Sequence, residues 1–245
     1  MMRRQKVFAA LGLIALIISV AVWILAIGGA TAARLDILPK IDGFRGLFYA
    51  APLAAFGAIF ALLVLIAGRI MQRVSVRRAL VGLLLSAGFL LLVAIVILPT
   101  RDLPPLHDIT TDTANPPQFT TLPLREDNLA GVDTLANWRR LHEDAYGDLD
   151  SVIVPMNVAD TIDRAAALAR EKGWTIAAVD PAAGRLEATA YASYLRFEDD
   201  VVLRVTPAPG GGSVVDMRSV SRVGASDLGK NAERIRDFLR DLAAA

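Results

Sequence analysis

Three stretches of this chain, Val7–Ala33, Phe48–Ala67 and Ala79–Leu98, contain no Asp, Glu, Lys or Arg. Each is about 20 residues or longer, enough to carry a helix across a hydrocarbon core ~30 Å thick. A buried helix of that length in a soluble protein would show a polar face, and these show none. The expected N-terminal part, residues 1–98, is therefore a three-helix transmembrane anchor with spans at about 7–30, 48–67 and 79–98.

Charge divides the chain in the same place. Residues 1–100 hold ten Lys or Arg and only Asp36 and Asp42 as acids. That leaves sixteen basic and twenty-three acidic residues of the chain's 26 and 25 for the rest. The overall net charge of +1 describes neither part. A mildly acidic C-terminal part argues against nucleic acid as a partner, because phosphates call for a basic patch. Cysteine is absent, which excludes a disulfide framework, a thiolate nucleophile and a Cys-ligated metal.

Orientation follows from the basic flanks. Arg3, Arg4 and Lys6 precede the first span, and Arg69, Arg73, Arg77 and Arg78 fill the link between the second and third. The other link mixes Arg34, Lys40 and Arg45 with Asp36 and Asp42. The N-terminus is thus expected in the cytoplasm of a bacterium and the C-terminal domain in the periplasm, with membrane lipid as one partner. Ala30-Thr31-Ala32 resembles a signal-peptidase site, but the preceding apolar stretch exceeds a signal core, so the first helix reads as uncleaved. With no ionisable residue inside the spans, an anchor is expected rather than an ion path. Ala50, Ala54 and Ala58, and Gly82 with Ser86, allow close helix contact.

Beyond Pro99 the pattern changes. Pro104-Pro105 and Pro116-Pro117 disfavour helix, and residues 99–121 read as an extended strap laid along the folded part, with Ile109 and Phe119 as docking points. Residues 122–245 read as a soluble α+β domain. A short helix is expected over Leu135–Ala145 and a strand over Ser151–Val154. Asn157 should cap a helix over Val158–Lys172 that Gly173 ends. Strands follow at Trp174–Val179, Arg185–Phe197, Val201–Thr206 and Ser213–Arg222, with turns at Asp180–Gly184, Glu198–Asp200 and Gly210–Gly212. Ser226 or Asp227 should cap a closing helix with Ile235, Phe238, Leu239 and Leu242 on its buried stripe. The order β-α-β-β-β-β-α predicts an antiparallel sheet with both helices on one face, leaving the other face solvated or free to bind.

That other face is polar. Alternation places Asp216, Arg218 and Arg222 together on the last strand, and Arg204 and Glu187 on the same face of its neighbours. The plain reading is a cross-strand charge ladder. The functional one is a shallow groove with arginines aimed at a carboxylate or phosphate. Next along the chain, Arg218-Ser-Val-Ser221-Arg222 leads through Asp227 to Asn231 at a helix N-terminus, where backbone N–H groups favour anions. Glu187, Arg204, Asp216, Arg218, Ser221, Arg222, Asp227 and Asn231 are therefore the candidate ligand-binding residues. No catalytic, metal or cofactor constellation is legible: His107 and His142 stand apart, and His107, Asp108 and Asp112 match no ligand spacing.

Several of these motifs carry a resemblance: Asp108-Ile-Thr-Thr-Asp112 with Asn115-Pro-Pro117 and Phe119, Gly173-Trp174, Arg185-Leu-Glu-Ala-Thr189, and Phe197-Glu-Asp-Asp-Val-Val202. The fullest is Asp216-Met-Arg-Ser-Val-Ser-Arg-Val-Gly-Ala-Ser-Asp-Leu-Gly229 with Asn231, Arg234 and Ile235. Together they resemble the domain of unknown function 1499 family, widespread in proteobacteria, over roughly residues 105–242. Many relatives carry a cysteine near the Asn-Pro motif, and Asn115-Pro-Pro117 here has none. The resemblance implies an envelope setting and supplies no reaction. The expected role is an envelope protein whose domain binds a small anion, a lipid headgroup or a protein partner. The rival readings are a hydrolase using Asp199, Asp200, Asp216 or Asp227, and a structural assembly module.

Overall fold

A computed structural model describes residues 2–71 and 76–244. All of Arg73 and the side chain of Arg3, both used above for orientation, lie outside the described residues. The chain forms two units, Met1–Arg101 and Asp102–Ala245.

The first unit contains α1 (Met2–Arg34), α2 (Lys40–Met71) and α3 (Arg77–Ile97), then a single 3-10 turn over Leu98–Thr100. All three helices are long and apolar enough to cross a membrane. α1 and α2 run further than the apolar stretches, α2 by Lys40–Leu47 at its start, whereas α3 begins at Arg77 and ends at Ile97. Small residues make the packing seam. On α2 it runs through Ala50, Ala54, Gly57, Ala61 and Gly68; Gly57, rather than Ala58, continues the stripe. A Cβ on Gly57 would sit 2.9 Å from Ser86 Oγ, and one on Gly82 would meet the Ala15 carbonyl of α1 at 3.0 Å. Ser19 Oγ lies 2.8 Å from both Gly82 O and Ser86 Oγ, a polar contact that close approach makes available in an apolar setting.

The second unit runs β1 (Asp108–Thr110), α4 (Leu135–Tyr146), β2 (Val152–Val154), α5 (Val158–Glu171), β3 (Thr175–Asp180), β4 (Arg185–Ala192), β5 (Phe197–Pro207), β6 (Ser213–Ser221) and α6 (Lys230–Ala243). The sheet is antiparallel, ordered β1-β6-β5-β4-β3, and β2 also pairs with β6. Asn157 caps α5 as expected, its side chain accepting the Asp160 N–H at 2.9 Å. Gly173, at φ +75°, ends that helix. Ile162, Ala165 and Ala169 of α5 and Ile235, Phe238 and Leu242 of α6 bury against Leu186, Leu203, Val215 and Met217 of the sheet. Both helices thus cover one face, with Trp174 stacked on Phe238.

Three local expectations are corrected. Residues 108–110 within the strap form a strand, paired with Arg218–Val220. The β4–β5 turn is Ser193–Arg196, not Glu198–Asp200, with Ser193 and Arg196 at positive φ. The acids look like a turn because carboxylates usually stay in water. Here alternation sends Asp199 to one face, where Arg234 meets it at 2.5 Å, and Asp200 to the other, where Arg222 does at 2.9 Å. Finally α6 begins at Lys230, although Asp227 still serves its N-terminus: its carboxylate accepts from Gly229 N–H at 2.9 Å and Asn231 N–H at 2.6 Å.

Candidate functional site

Register decides which polar residues meet. Arg185, Arg204 and Asp216 form one row across β4, β5 and β6; Glu187, Val202 and Arg218 form the next; Thr189, Asp200 and Val220 the third. Arg204 and Asp216 are therefore neighbours, joined at 2.8 Å. Glu187 and Arg218 stand two strands apart with Val202 between them.

Residues 111–126 lie over this face and use most of its charges. Arg204 donates to the Asp112 carboxylate and the Asn115 carbonyl, both at 2.9 Å. Arg218 donates to the Pro117 carbonyl at 3.2 Å, and Arg185 to the Gln118 carbonyl at 2.7 Å. The fully buried Glu187 accepts three successive backbone N–H groups, from Thr120 at 2.7 Å, Thr121 at 3.0 Å and Leu122 at 2.8 Å, plus the Thr120 hydroxyl. Burial pushes the Glu187 carboxyl up, but these donors outweigh it and hold it below the ordinary value. Glu187→Gln keeps the shape but removes the charge and puts an amide donor against N–H groups. We expect it to cost about 2 kcal/mol, since hydrogen bonds to charged groups contribute roughly 1.5–3 kcal/mol each. Limited proteolysis should then cut within residues 113–124 at protease levels that leave the parent intact; equal resistance would show that Glu187 does not hold the strap.

The three arginines differ in exposure. Arg218 is 7% exposed and makes a two-point pair with Asp108, Nε to Oδ1 at 2.9 Å and Nη2 to Oδ2 at 2.7 Å. Arg204 is 28% exposed and Arg222 40%. Arg222 grips Asp200 at both oxygens, at 2.9 Å each, touches Thr189 Oγ1 at 3.0 Å, and turns Nη1 toward Glu198, itself 40% exposed.

Arg222 also borders an open cleft of about 370 Å³. Its wall is Phe119, Pro123 and Leu124, with Val220 of β6 behind them; Arg125, Glu126, Asp200 and Ser221 complete the lining. Arg125 is fixed by the carbonyls of Ser221 at 3.1 Å and Gly224 at 2.7 Å and by the Asp127 carboxylate at 2.7 Å. The cleft thus sets a partly exposed guanidinium beside an apolar wall, a pairing suited to an amphipathic anion.

The remaining candidate residues lie on the helix side of the sheet. Asn231, fully buried, donates to Ser221 Oγ at 3.0 Å and to the His107 carbonyl at 2.9 Å, and its Oδ1 meets Ser219 Oγ at 2.7 Å. Asp227 donates its own N–H to the Leu106 carbonyl at 3.0 Å, so the loop before α6 is tied to the segment entering β1. Burial pushes the Asp227 carboxyl up to about 6, with Asp199 adding to the rise and Arg234 opposing it. His107 and His142 are buried as well, and desolvation holds both imidazoles below their ordinary value. His142 Nε2 accepts the Thr110 N–H at 3.1 Å, the bond of a neutral ring. Asp108 and Asp112 face arginines, and among the described residues no group of acids and histidines is placed to hold a metal ion.

Sequence reasoning singled out the arginines but missed their partners Asp108 and Asp112, and it missed Arg125. The alternation in Asp108-Ile-Thr was the available signal for Asp108; the sequence carries no comparable sign for Arg125. No curated protein matches the chain. A family model matches from Asp108 at the start of β1 to Leu242 in the last turn of α6, which takes in the whole sheet, residues 111–126 over its polar face, and the cleft. The chain belongs to the family described as protein of unknown function (DUF1499), through residues 108–242.

Proposed function

We propose that this is a binding protein anchored in a bacterial inner membrane by α1–α3, with its C-terminal unit in the periplasm, and that the cleft at Arg222 takes a small anionic molecule or a lipid headgroup. The orientation rests on Arg3, Arg4 and Lys6 ahead of the first apolar stretch and on Arg69, Arg73, Arg77 and Arg78 between the second and third. One observation carries the binding reading: of Arg185, Arg204, Arg218 and Arg222, Arg222 alone combines a large exposed surface with an open, partly apolar cleft. Arg204 and Arg218 already serve the strap. The cleft falls within the roughly 300–1,000 Å³ of small-molecule sites. The acids that a hydrolytic reading would use are each engaged, Asp199 by Arg234, Asp200 by Arg222, Asp216 by Arg204 and Asp227 by the start of α6, which favours binding over hydrolysis.

Native mass spectrometry of the full chain, released from its own membrane in mild detergent, tests this. A retained small molecule is expected in the parent and should be lost from Arg222→Ala. The variant also carries Asp200→Asn, because Arg222→Ala alone would strand a carboxylate that is only 6% exposed. Identical adducts on both proteins, or none on either, would remove the cleft from consideration.

A further inference from the structure

Charge and donor geometry narrow the occupant of that same cleft, on the reading that Arg222 is its anchor. We infer that it is a monocarboxylic acid with a short apolar body, held on Arg222 by exchange with the Glu198 carboxylate.

The first ground is local charge. The cleft lining holds two guanidinium groups, Arg125 and Arg222, with Asp200 and Glu126, while Glu198 and Asp127, outside that lining, pair with the arginines. The balance is already negative, so a doubly charged phosphate meets net repulsion. A single carboxylate that displaces Glu198 into water leaves the count on Arg222 unchanged.

Donor geometry is the second ground. Asp200 occupies Arg222 Nε and Nη2, and Thr189 shares Nη2. Only the Nη1 edge faces a partner that can leave, and that partner is Glu198. Arg125 spends its groups on two carbonyls and Asp127, so it adds charge without a second fork. One edge suits one carboxylate. The two-fork grip that arginines offer a phosphate is not available.

Third, Glu198 is a poor competitor. Glu198 and Arg222 are both 40% exposed, and such pairs are weak in water. An incoming acid gains what Glu198 does not have: contact with Phe119, Pro123, Leu124 and Val220. At about 370 Å³ the space lies at the small end for ligand sites, which limits the apolar body.

The test uses the full chain in phosphatidylcholine nanodiscs, with empty nanodiscs as the blank, at pH 8. Calorimetric titration compares hexanoate, hexyl phosphate and hexanol. Hexanoate is expected to bind; hexanol, lacking the charge, and hexyl phosphate, dianionic at this pH, are expected at least tenfold weaker. Arg222→Gln should weaken hexanoate tenfold or more. Glu198→Gln should tighten it, by up to about fivefold, since removing the resident competitor frees the roughly 1 kcal/mol of an exposed pair. Hexyl phosphate binding as well as hexanoate, or Glu198→Gln leaving affinity unchanged or lower, overturns the proposal. A retained molecule of another class that still depends on Arg222 would overturn it while leaving the cleft as the binding site. Failure to bind hexanoate, together with empty mass spectra, would remove both.

Discussion

Arg218→Ala is expected to destabilise the C-terminal unit by about 3–5 kcal/mol, the usual consequence of breaking a buried ion pair from one side. The substitution leaves the Asp108 carboxylate, 3% exposed, with only Asn128 Nδ2 at 2.5 Å. It also frees the Pro117 carbonyl, and so loosens the strap. Trp138 reports directly, because its Nε1 donates to the Asp108 carbonyl at 2.9 Å. Denaturant unfolding of the full chain, followed by tryptophan fluorescence, should show the midpoint falling with little change in slope. Replacing both partners, Asp108→Leu with Arg218→Met, should recover most of the loss, since a buried pair and an apolar pair of similar size are often equivalent. A loss under about 1 kcal/mol for Arg218→Ala would mean that water reaches the pair and that the strap does not depend on it.

The second large effect is a dependence on pH. The Asp227 carboxyl titrates at about 6 in the folded chain against an ordinary 3.8. A raised folded value means that the native state holds the proton more tightly, so stability is fully present below 3.8 and is lost as pH rises through about 6. Two units correspond to roughly 3 kcal/mol, an upper value for a partly exposed group. Asp227→Asn carries no titrating proton and keeps one acceptor oxygen, but because Gly229 and Asn231 bond separate oxygens its amide nitrogen meets the other N–H, a cost that does not vary with pH. The variant-minus-parent stability should therefore rise by up to that amount between pH 4 and pH 7.5. His107 and His142 act in the opposite sense: their lowered values cost stability as pH falls below 6.5. Both proteins carry them, so the variant-minus-parent difference isolates Asp227. Asp199, Arg234, Tyr146 and Arg236 surround this region and are likewise unchanged. A difference that is flat from pH 4 to pH 7.5 would show that Asp227 is not desolvated.

These effects have a common origin in how the acidic residues are used. The sequence holds more acid than base after residue 100, and the ordinary inference is a wet acidic surface. Instead Asp108, Asp199, Asp200 and Asp216 are buried, each against an arginine that comes from another strand, from β6's end or from α6. Glu187 is buried against backbone N–H groups rather than a cation. This is why Glu198–Asp200 reads as a turn in sequence and is strand in the fold. The same pairing changes the picture of the polar sheet face. It is neither an open groove nor a solvated ladder, because the strap lies on it and takes up Arg185, Arg204 and Arg218. A cleft remains where Phe119 and Pro123–Glu126 line it together with Arg222.

Local sequence by itself determined the elements that depend on near neighbours. Uncharged length dictates α1–α3, Asn157 and Gly173 bound α5, and the period-two pattern assigns Asp216, Arg218 and Arg222 to one sheet face. Such features follow from solvation, capping and alternation, which act over a few residues. Tertiary structure alone decided which charges meet. Asp108 and Arg218 are 110 positions apart, and Thr120 and Glu187 are 67 apart. Whether an acid is solvated or buried depends on the partner that the fold delivers, and no spacing within one strand contains that partner.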